Sequence, residues 1–579
     1  MEDCWFVFGG GCHVLEKMKE SFQKNFVHAT LNFVFIIIFI NVFQAVFGAE
    51  NTIVGVIFTI MMSASMVRDM TATPMKHLVV QAGVLVWMGV ASYLVNTLNP
   101  YAALLVNLVT VFCILYAFTY EYSSHMYFPY ILSYLFLVFI SPVGFTQLPK
   151  RLLGLLAGAV SIIVYQLFKG RKRVVETAQD VLTSMIGEAE AGIRYLLNGE
   201  GEMADPADVR NTLCRLSRTV YERRRKVLCV SDASFSMIDA GRGMEHIILL
   251  LHELEGNMTI KRKELLKRVA GQLEEYRRFL NRQTDRIGEP DRLQMIQDAE
   301  DVVQEEFYHS LVYICDHLIH MTDPQKRTKY HRTALSLSLR LKAALDVSPV
   351  RVIYALRVSV LLALFTLLVQ VFHLEHGKWL LFTLASLSLP YADDVGVKTR
   401  KRIVATIAGG MVSVAVFGLI SNPAGRTAVM MLSGYLSFYF SDYTGTYACS
   451  TIGALGGAVF MGAFGVGDVG QMFMIRLTYI GIGALIALAA NCLIFPYRRS
   501  MATKQLLEKY AATTGMLAKV CFEEDVDPQL YYELVIQSHL QEEKLSQNAS
   551  LGGWDEIYEL LQRGRAAVRR AHRHRALDW

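Results

Sequence analysis

The stretch "LPYADDVGVKTRKRIVATIAGG", Leu389 to Gly410, joins two apolar segments through a loop crowded with charge. Asp393 and Asp394 are followed by Lys398, Arg400, Lys401 and Arg402, and the chain then turns small and apolar in "ATIAGG". Charge packed this tightly against an apolar helix marks the aqueous edge of a bilayer, where cations stay in water and the next helix enters lipid. The fold therefore turns on whether the rest of the chain supplies such helices.

It does. Of 579 residues, 53% are hydrophobic and only 19% charged, and mean hydropathy is positive. A soluble globule of this length carries more charge, so part of the chain resides in lipid. The apolar excess falls in two blocks, residues 28–168 and 350–496, separated by a charged middle and followed by a charged tail. The nine cysteines are scattered, and Cys113, Cys449 and Cys492 lie in apolar runs, as small buried hydrophobes do. The N-terminal lysines and acids up to Lys24 precede no cleavage pattern, so no signal peptide is expected. A net charge of +5, dispersed along the chain, argues against a nucleic-acid partner.

A lipid-crossing helix needs about 20 mostly apolar residues. The first block supplies six candidates, at 28–47, 52–67, 77–97, 101–119, 127–146 and 151–168. The second supplies six more, at 350–372, 377–391, 402–420, 424–441, 445–464 and 474–496, with the second and eighth of the twelve the weakest. If the N-terminus is inside, the cytoplasmic loops collect Lys17, Lys19, Lys24, Arg68, Lys76, Lys169, Arg171, Lys172, Arg173, Lys398, Arg400, Lys401, Arg498 and Arg499. The far side receives only Lys150, Arg151, Lys378 and Arg426. That asymmetry places both termini in the cytoplasm. The expected organisation is a cytoplasmic N-terminus (1–27), a first bundle (28–168), a cytoplasmic helical domain (169–349), a second bundle (350–496) and a cytoplasmic helical tail (497–579).

The bundles also echo one another. Sliding the first by 325 positions sets Arg151-Leu152 on Arg476-Leu477, Gly158-Ala159 on Gly483-Ala484, Lys76 on Lys401 and Glu50 on Glu375. An even number of spans per repeat gives parallel repeats about an axis along the membrane normal, with a shared cavity between them. The fold class expected is thus an all-α membrane protein of two parallel six-helix repeats flanking a cytoplasmic helical domain.

Residues 172–345 carry apolar positions at helical spacing. In "RKELLKRVAGQLEEYRRFL" Leu265, Leu266, Val269, Leu273, Tyr276 and Leu280 form one stripe, and breaks near 199–206, 255–257 and 284–290 divide about five helices. The tail ends in a basic run, Arg563, Arg565, Arg569, Arg570, Arg573 and Arg575, read as a solvated helix end. His309, His317 and His320 stand near Cys315 and Asp316 without a firm third ligand, so no metal is expected. "GVGDVG", Gly465 to Gly470, matches a dinucleotide loop by letter but follows no strand. No phosphate-binding G-x-x-x-x-G-K-[ST] occurs, and no nucleophile, base and oxyanion set is clustered in the spans. Neither a cofactor nor an enzymatic activity is expected.

Extended upstream, the opening stretch becomes "HGKWLLFTLASLSLPYADDVGVKTRKRIVATIAGG", His376 to Gly410. It resembles the signature of the fusaric acid resistance and aromatic acid exporter family, in which a tryptophan-led helix ends at a proline and an arginine opens a small-residue helix. Trp379, Pro390, Arg402 and "ATIAGG" fall on that pattern, and Arg357 in "IYALRVSVLLALF" resembles the arginine of the preceding helix. Ala405-Thr406 departs from the family's Gly-Thr. The resemblance implies export of aromatic carboxylic acids, and the chain is distantly similar to the aluminium-activated malate transporters, which conduct organic anions.

The residues point the same way. Arg357 lies about two turns into its helix, roughly 10 Å deep at 1.5 Å per residue, where an unpaired cation faces a partner, water or an anion. Arg357 with Arg402 and Lys401 on the cytoplasmic side, and Arg151 with Arg476 on the other, are the candidate cations of an anion path, with Trp379, Tyr439 and Tyr443 as aromatic neighbours. An ion pair of Arg357 with Asp393 or Asp394 is the competing reading. His376, Asp393, Asp394 and Glu121 are the candidate proton carriers. The function expected is an organic-anion exporter of a bacterial inner membrane, with a passive anion channel or a membrane-anchored scaffold as alternatives. The partners expected are small organic anions and membrane lipids, with a homo-oligomer and a periplasmic adaptor protein also admitted.

Overall fold

The computed structural model describes residues 11–66, 70, 73–122, 125–169, 174–223, 230–288, 302–328, 347–420, 422–440, 442–460, 469–523 and 527–577, with the backbone alone at 11–25, 28, 458–460 and 573–577. The "GVGDVG" stretch up to residue 468 and the Arg171–Arg173 cluster lie outside them, as do the side chains of Arg573 and Arg575. Every regular element described is a helix.

Five helices open on one local device. Asn99, Asp205, Ser348, Asn422 and Asp527 each accept a hydrogen bond from a backbone N–H two or three residues on, and a proline follows each. The cap satisfies one of the free N–H groups of the first turn, and proline, which has none, fits the position after it.

The chain divides into two compact units, residues 1–67, 75–165 and 348–499 in one, and 68–74, 166–347 and 500–579 in the other. The first holds α1 (Gly11–Phe47), a 3₁₀ turn (Ala49–Asn51), α2 (Thr52–Ser65), α3 (Pro74–Thr97), α4 (Pro100–Phe118), α5 (Tyr127–Phe139) and α6 (Leu148–Lys169). Its helices from the second block follow the middle of the chain.

The second unit comprises α7 (Val174–Asn198), α8 (Pro206–Glu222), α9 (Asp232–Leu254), α10 (Ile260–Leu280), α11 (Val302–Thr322) and the short α12 (Pro324–Thr328). The apolar stripe of α10 is buried from Leu265 to Leu280, in one core with α7, α9 and α11. The tail belongs to this unit: it forms α19 (Arg499–Cys521), α20 (Pro528–Gly552) and α21 (Glu556–Leu577), and α20 packs on α8. Charge fixes that contact. Glu542 accepts from Arg210 Nε and Nη2, each at 2.9 Å, and from Arg565 Nε at 2.6 Å, while Arg210 Nη1 reaches Glu245 at 3.0 Å. Beside them the buried His539 holds its Nδ1 2.7 Å from Ser217 Oγ.

The first unit's remaining helices are α13 (Pro349–Val371), α14 (Lys378–Leu387), α15 (Asp393–Leu419), α16 (Pro423–Leu436) with a 3₁₀ turn (Ser437–Tyr439), α17 (Tyr443–Phe460) and α18 (Val469–Leu493). Among the described residues each of the twelve expected segments contains a helix, and seven of these are long and apolar enough to cross a membrane: α3, α4, α6, α13, α15, α18 and the Ala29–Phe47 part of α1. The second and eighth, α2 and α14, are short. So is α5, expected to reach 146, because Pro142 disfavours helical backbone at Ser141 before it.

The two blocks meet at reciprocal places. Helix α4 of the first packs along α13 of the second, while α16 and its 3₁₀ turn pack on α1. There Tyr435 OH lies 2.9 Å from Thr30 Oγ1 and its ring sits edge-on to Phe33. Inside each block a glycine admits the second helix to the sixth. A Cβ on Gly158 would come within 1.9 Å of Phe58, and one on Gly483 within 2.9 Å of Thr383. Both partners of the latter contact stand 325 positions beyond those of the former.

Candidate functional site

The small-residue run that follows the opening loop sets the geometry of the second block. A Cβ on Gly409 would stand 2.4 Å from the backbone oxygen of Ala448, and one on Gly410 would stand 1.9 Å from the Phe473 ring. Helix α15 is thus wedged between α17 and α18 at backbone contact. Two turns earlier on α15, Arg402 is carried onto α17 and toward α18. Gly483 draws α14 against α18 in the same way, which lays Trp379 over Arg476.

The result is a cluster of four helices' side chains. The Arg402 guanidinium carbon lies 3.5 Å from the Tyr447 ring centroid, and its Nη1 donates to Tyr443 OH at 3.4 Å. The Arg476 guanidinium carbon lies 4.3 Å from the Trp379 ring centroid, and Tyr447 and Arg402 both act on it electrostatically. Arg402 is 3% exposed and Arg476 2%. Arg402 Nε, Arg476 Nε and Nη1, Trp379 Nε1 and Thr399 Oγ1 are buried with no hydrogen-bond partner. Neither arginine forms an ion pair among the described residues. Aromatic faces stabilise a cation by about 1–2 kcal/mol, which is small against the several kcal/mol of desolvating two guanidinium groups without carboxylates. An anion within reach of those free N–H groups would supply what the protein does not.

The other candidate cations spend their hydrogen bonds on the protein. Arg357 is fully buried and donates to the carbonyl oxygens of Leu389, Pro390 (3.2 Å) and Phe495 (3.4 Å), its Nε staying without a partner. It ties the segment just past α14 to the segment just past α18. Asp393 and Asp394 do not pair with it. They hold Arg499, the first through its backbone N–H at 2.7 Å and the second through its guanidinium at 2.6 Å. Arg151 has a protein acceptor on each guanidinium nitrogen, donating to Asn51 Oδ1, to Ser141 O and Oγ (3.0 and 2.9 Å) and to Glu50 O at 2.9 Å.

Of the rest, Lys401 is exposed on the opposite face of α15 from Arg402, and Tyr439 hydrogen-bonds Tyr435 at 2.6 Å away from the cluster. His376 is half-buried in the α13–α14 turn with a positive φ of 61°, and Glu121 is half-buried after α4. The structure therefore gathers Arg402, Arg476, Trp379 and Tyr443 and leaves Arg357, Arg151, Lys401, Tyr439, His376, Asp393, Asp394 and Glu121 outside. It also brings in Tyr447, one turn from Tyr443 on α17, which by sequence belongs with Tyr435, Tyr439 and Tyr443 to a tyrosine cluster read as a membrane-interface belt.

Residues 362–490 match the family model described as fusaric acid resistance protein-like. The second block carries a fusaric acid resistance-like domain. No curated protein and no solved structure matches the chain. The domain covers α14 to α17 and most of α18, so it contains every member of the Arg402–Arg476 cluster and excludes Arg151 and Arg357. With seven helices fit to cross a bilayer, the chain is a multi-pass membrane protein, and the fusaric acid resistance-like domain suggests a transporter.

Proposed function

We propose that this protein carries organic anions, aromatic carboxylates foremost, out of a bacterial cytoplasm across the inner membrane, and that the Arg402–Arg476 cluster is the binding site. One observation carries the reading: two buried guanidinium groups expose free N–H donors among aromatic rings, with no carboxylate to neutralise them. A planar carboxylate accepts two parallel bonds from such a fork. The Trp379, Tyr443 and Tyr447 rings offer faces to an aromatic body.

The path in this reading runs among α14, α15, α17 and α18. A cavity between two equivalent bundles, which sequence symmetry favours, is not needed. The first bundle's matching arginine, Arg151, has every guanidinium nitrogen engaged by the protein. The bundles are nonetheless parallel repeats, supported by the Gly158–Phe58 and Gly483–Thr383 contacts and by the reciprocal packing of α4 on α13 and α16 on α1. A further likeness is that the Glu50 carbonyl accepts from Arg151 on α6, and the Glu375 carbonyl accepts from Tyr479 on α18 at 2.7 Å. With a negative interior, outward movement of a monovalent anion releases about 2.3 kcal/mol per 100 mV. Export needs no nucleotide.

The test is flux of benzoate from liposomes holding the purified full-length protein, under an imposed potential. Arg402→Gln and Arg476→Gln should each cut flux at least tenfold, a loss of about 1.4 kcal/mol or more, while the protein still inserts and elutes as wild type. Flux no greater than in empty liposomes, or full flux in both variants, would refute the assignment.

A further inference from the structure

A third cation stands one turn from the cluster. Lys398, four residues before Arg402 on α15, is half-buried, with its Nζ 5.6 Å from the Tyr443 ring centroid and 5.8 Å from that of Phe128 on α5. Tyr443 thus lies under Lys398 and also accepts the hydrogen bond from Arg402. Among the described residues Lys398 makes no ion pair and no hydrogen bond. An acid is available to it by sequence. Asp394 precedes it by four positions, the helix spacing and the order that favour an acid–lysine pair. That acid is in direct contact with Arg499 instead, at 2.6 Å, and acts on Lys398 only through space, while the Arg499 backbone N–H takes Asp393 at 2.7 Å.

We infer that Lys398 is an outer anion-binding station, one turn nearer the charged end of α15, which receives the carboxylate and passes it along Tyr443 to Arg402. Arg499 keeps that station open by withholding Asp394 from it. The inference rests on the Arg402–Arg476 site being the inner one. Its physical content is a spacing of charge. Lys398 and Arg402 are four residues, about 6 Å, apart along α15, so one carboxylate can leave the first as it engages the second. An ammonium is a point charge that holds an anion without fixing its orientation, as a receiving station requires, whereas the guanidinium fork orients it. The rings of Tyr443 and Phe128 hold the ammonium in place without neutralising it.

Benzoate flux into and out of liposomes containing the full-length protein, measured across a concentration series, separates the two sites. Lys398→Gln should raise the half-saturating concentration about tenfold, the equivalent of about 1.4 kcal/mol, and lower saturating flux by less than half. Lys398→Arg, which keeps the charge, should recover most of the loss. Arg499→Gln frees Asp394 to pair with Lys398 and should raise the half-saturating concentration as Lys398→Gln does. Asp394→Asn added to Arg499→Gln should bring it back toward wild type. Elution of each variant as wild type in detergent checks folding. Should Arg499→Gln fail that check, the Lys398→Gln and Lys398→Arg pair decides alone, since Lys398 makes no hydrogen bond that folding depends on. An unchanged half-saturating concentration in Lys398→Gln, with flux abolished in Arg402→Gln, overturns the outer station and leaves the inner site standing. Persistent impairment of the Arg499/Asp394 double variant overturns the role given to Arg499. Intact flux in Arg402→Gln and Arg476→Gln removes the inner site, and the outer station falls with it.

Discussion

A buried arginine is defined by what takes its hydrogen bonds. Arg357 gives its guanidinium to the carbonyls of Leu389, Pro390 and Phe495, and these belong to two chain segments that end side by side. Those carbonyls lie past the last turns of α14 and α18, where no intrahelical donor remains, and a cation there also opposes the negative end of each helix dipole. Hydrogen bonds to a charged group are worth about 1.5–3 kcal/mol each, so Arg357 stabilises the junction. Arg357→Gln should therefore reduce the yield of folded, membrane-inserted protein, while benzoate flux per folded molecule stays near wild type. Arg357→Lys should restore part of the yield, because one ammonium cannot span three carbonyls. A variant that folds normally and transports poorly would move Arg357 from the scaffold into the path. Arg402 is the opposite case. Both keep an Nε without a partner, but the neighbours of Arg402 are rings and a tyrosine hydroxyl rather than three backbone carbonyls, which leaves its charge less compensated and sensitive to an anion.

At the scale of elements, the separation of α15 from α17 determines whether Arg402 reaches Tyr447 at all. Gly409 lies against the backbone of Ala448, which cannot rotate away as a side chain would. Gly409→Ala should cost about 1–3 kcal/mol of stability, and it should cut flux by pushing Tyr447 off the Arg402 guanidinium. Gly418→Ala is the control on the same helix. Nothing lies within 4 Å of a Cβ there, so this change should leave stability unchanged or slightly raised, alanine being the better helix former. Thermal unfolding of both variants in detergent, beside their flux, separates helix propensity from helix approach. The Ala405-Thr406 departure from the family's Gly-Thr also falls on this helix. Both residues are fully buried, and Thr406 turns its hydroxyl back to the carbonyl of Arg402 at 2.9 Å, so it is accommodated without an unpaired polar group.

Across the whole molecule, the unit of α7–α12 with α19–α21 has a pH dependence of its own. Burial alone would raise the Glu542 carboxyl, but Arg210 and Arg565 outweigh it and hold the group below its ordinary value. Burial, reinforced by Arg210 and Arg242, holds the His539 imidazole well below its usual value. Both folded-state values are depressed, so each group stabilises the fold at neutral pH and withdraws that stability as pH falls. The loss should begin below the ordinary imidazole value near 6.5 with His539, and deepen below the ordinary carboxyl value near 4.5 with Glu542. Replacing His539 with Gln should remove the upper part of this acid limb. Glu542→Gln strands Arg565, leaves Arg210 with Glu245 alone, and should cost about 3–5 kcal/mol at neutral pH. Unfolding of the full-length protein between pH 7 and 4, followed by tryptophan fluorescence and limited proteolysis, would show both effects. A flat profile for wild type would mean that the cluster stays hydrated.

The sequence by itself determined the helical class, the two apolar blocks and the charged middle, and the structure added five capped, proline-led helix starts that the same sequence carries locally. These are local properties: hydropathy, period and a cap followed by proline are written within a few residues. The sequence also named Arg402 and Arg476, beside Arg357, Arg151 and Lys401, as candidate cations, without ranking that pair above the others. Only the tertiary structure decided which arginines are spent and which are free. Arg151 finds Asn51 about a hundred positions away, and Arg357 finds Phe495 farther still, while Arg402 and Arg476 meet rings and tyrosine hydroxyls instead of backbone carbonyls. The same distance hid the tail's place beside α8, where Glu542 answers Arg210, and gave Asp394 to Arg499 when helix spacing alone assigns it to Lys398. Partnership across the chain depends on how closely α15 approaches α17 and α18. That closeness came from glycines whose neighbours no local pattern names.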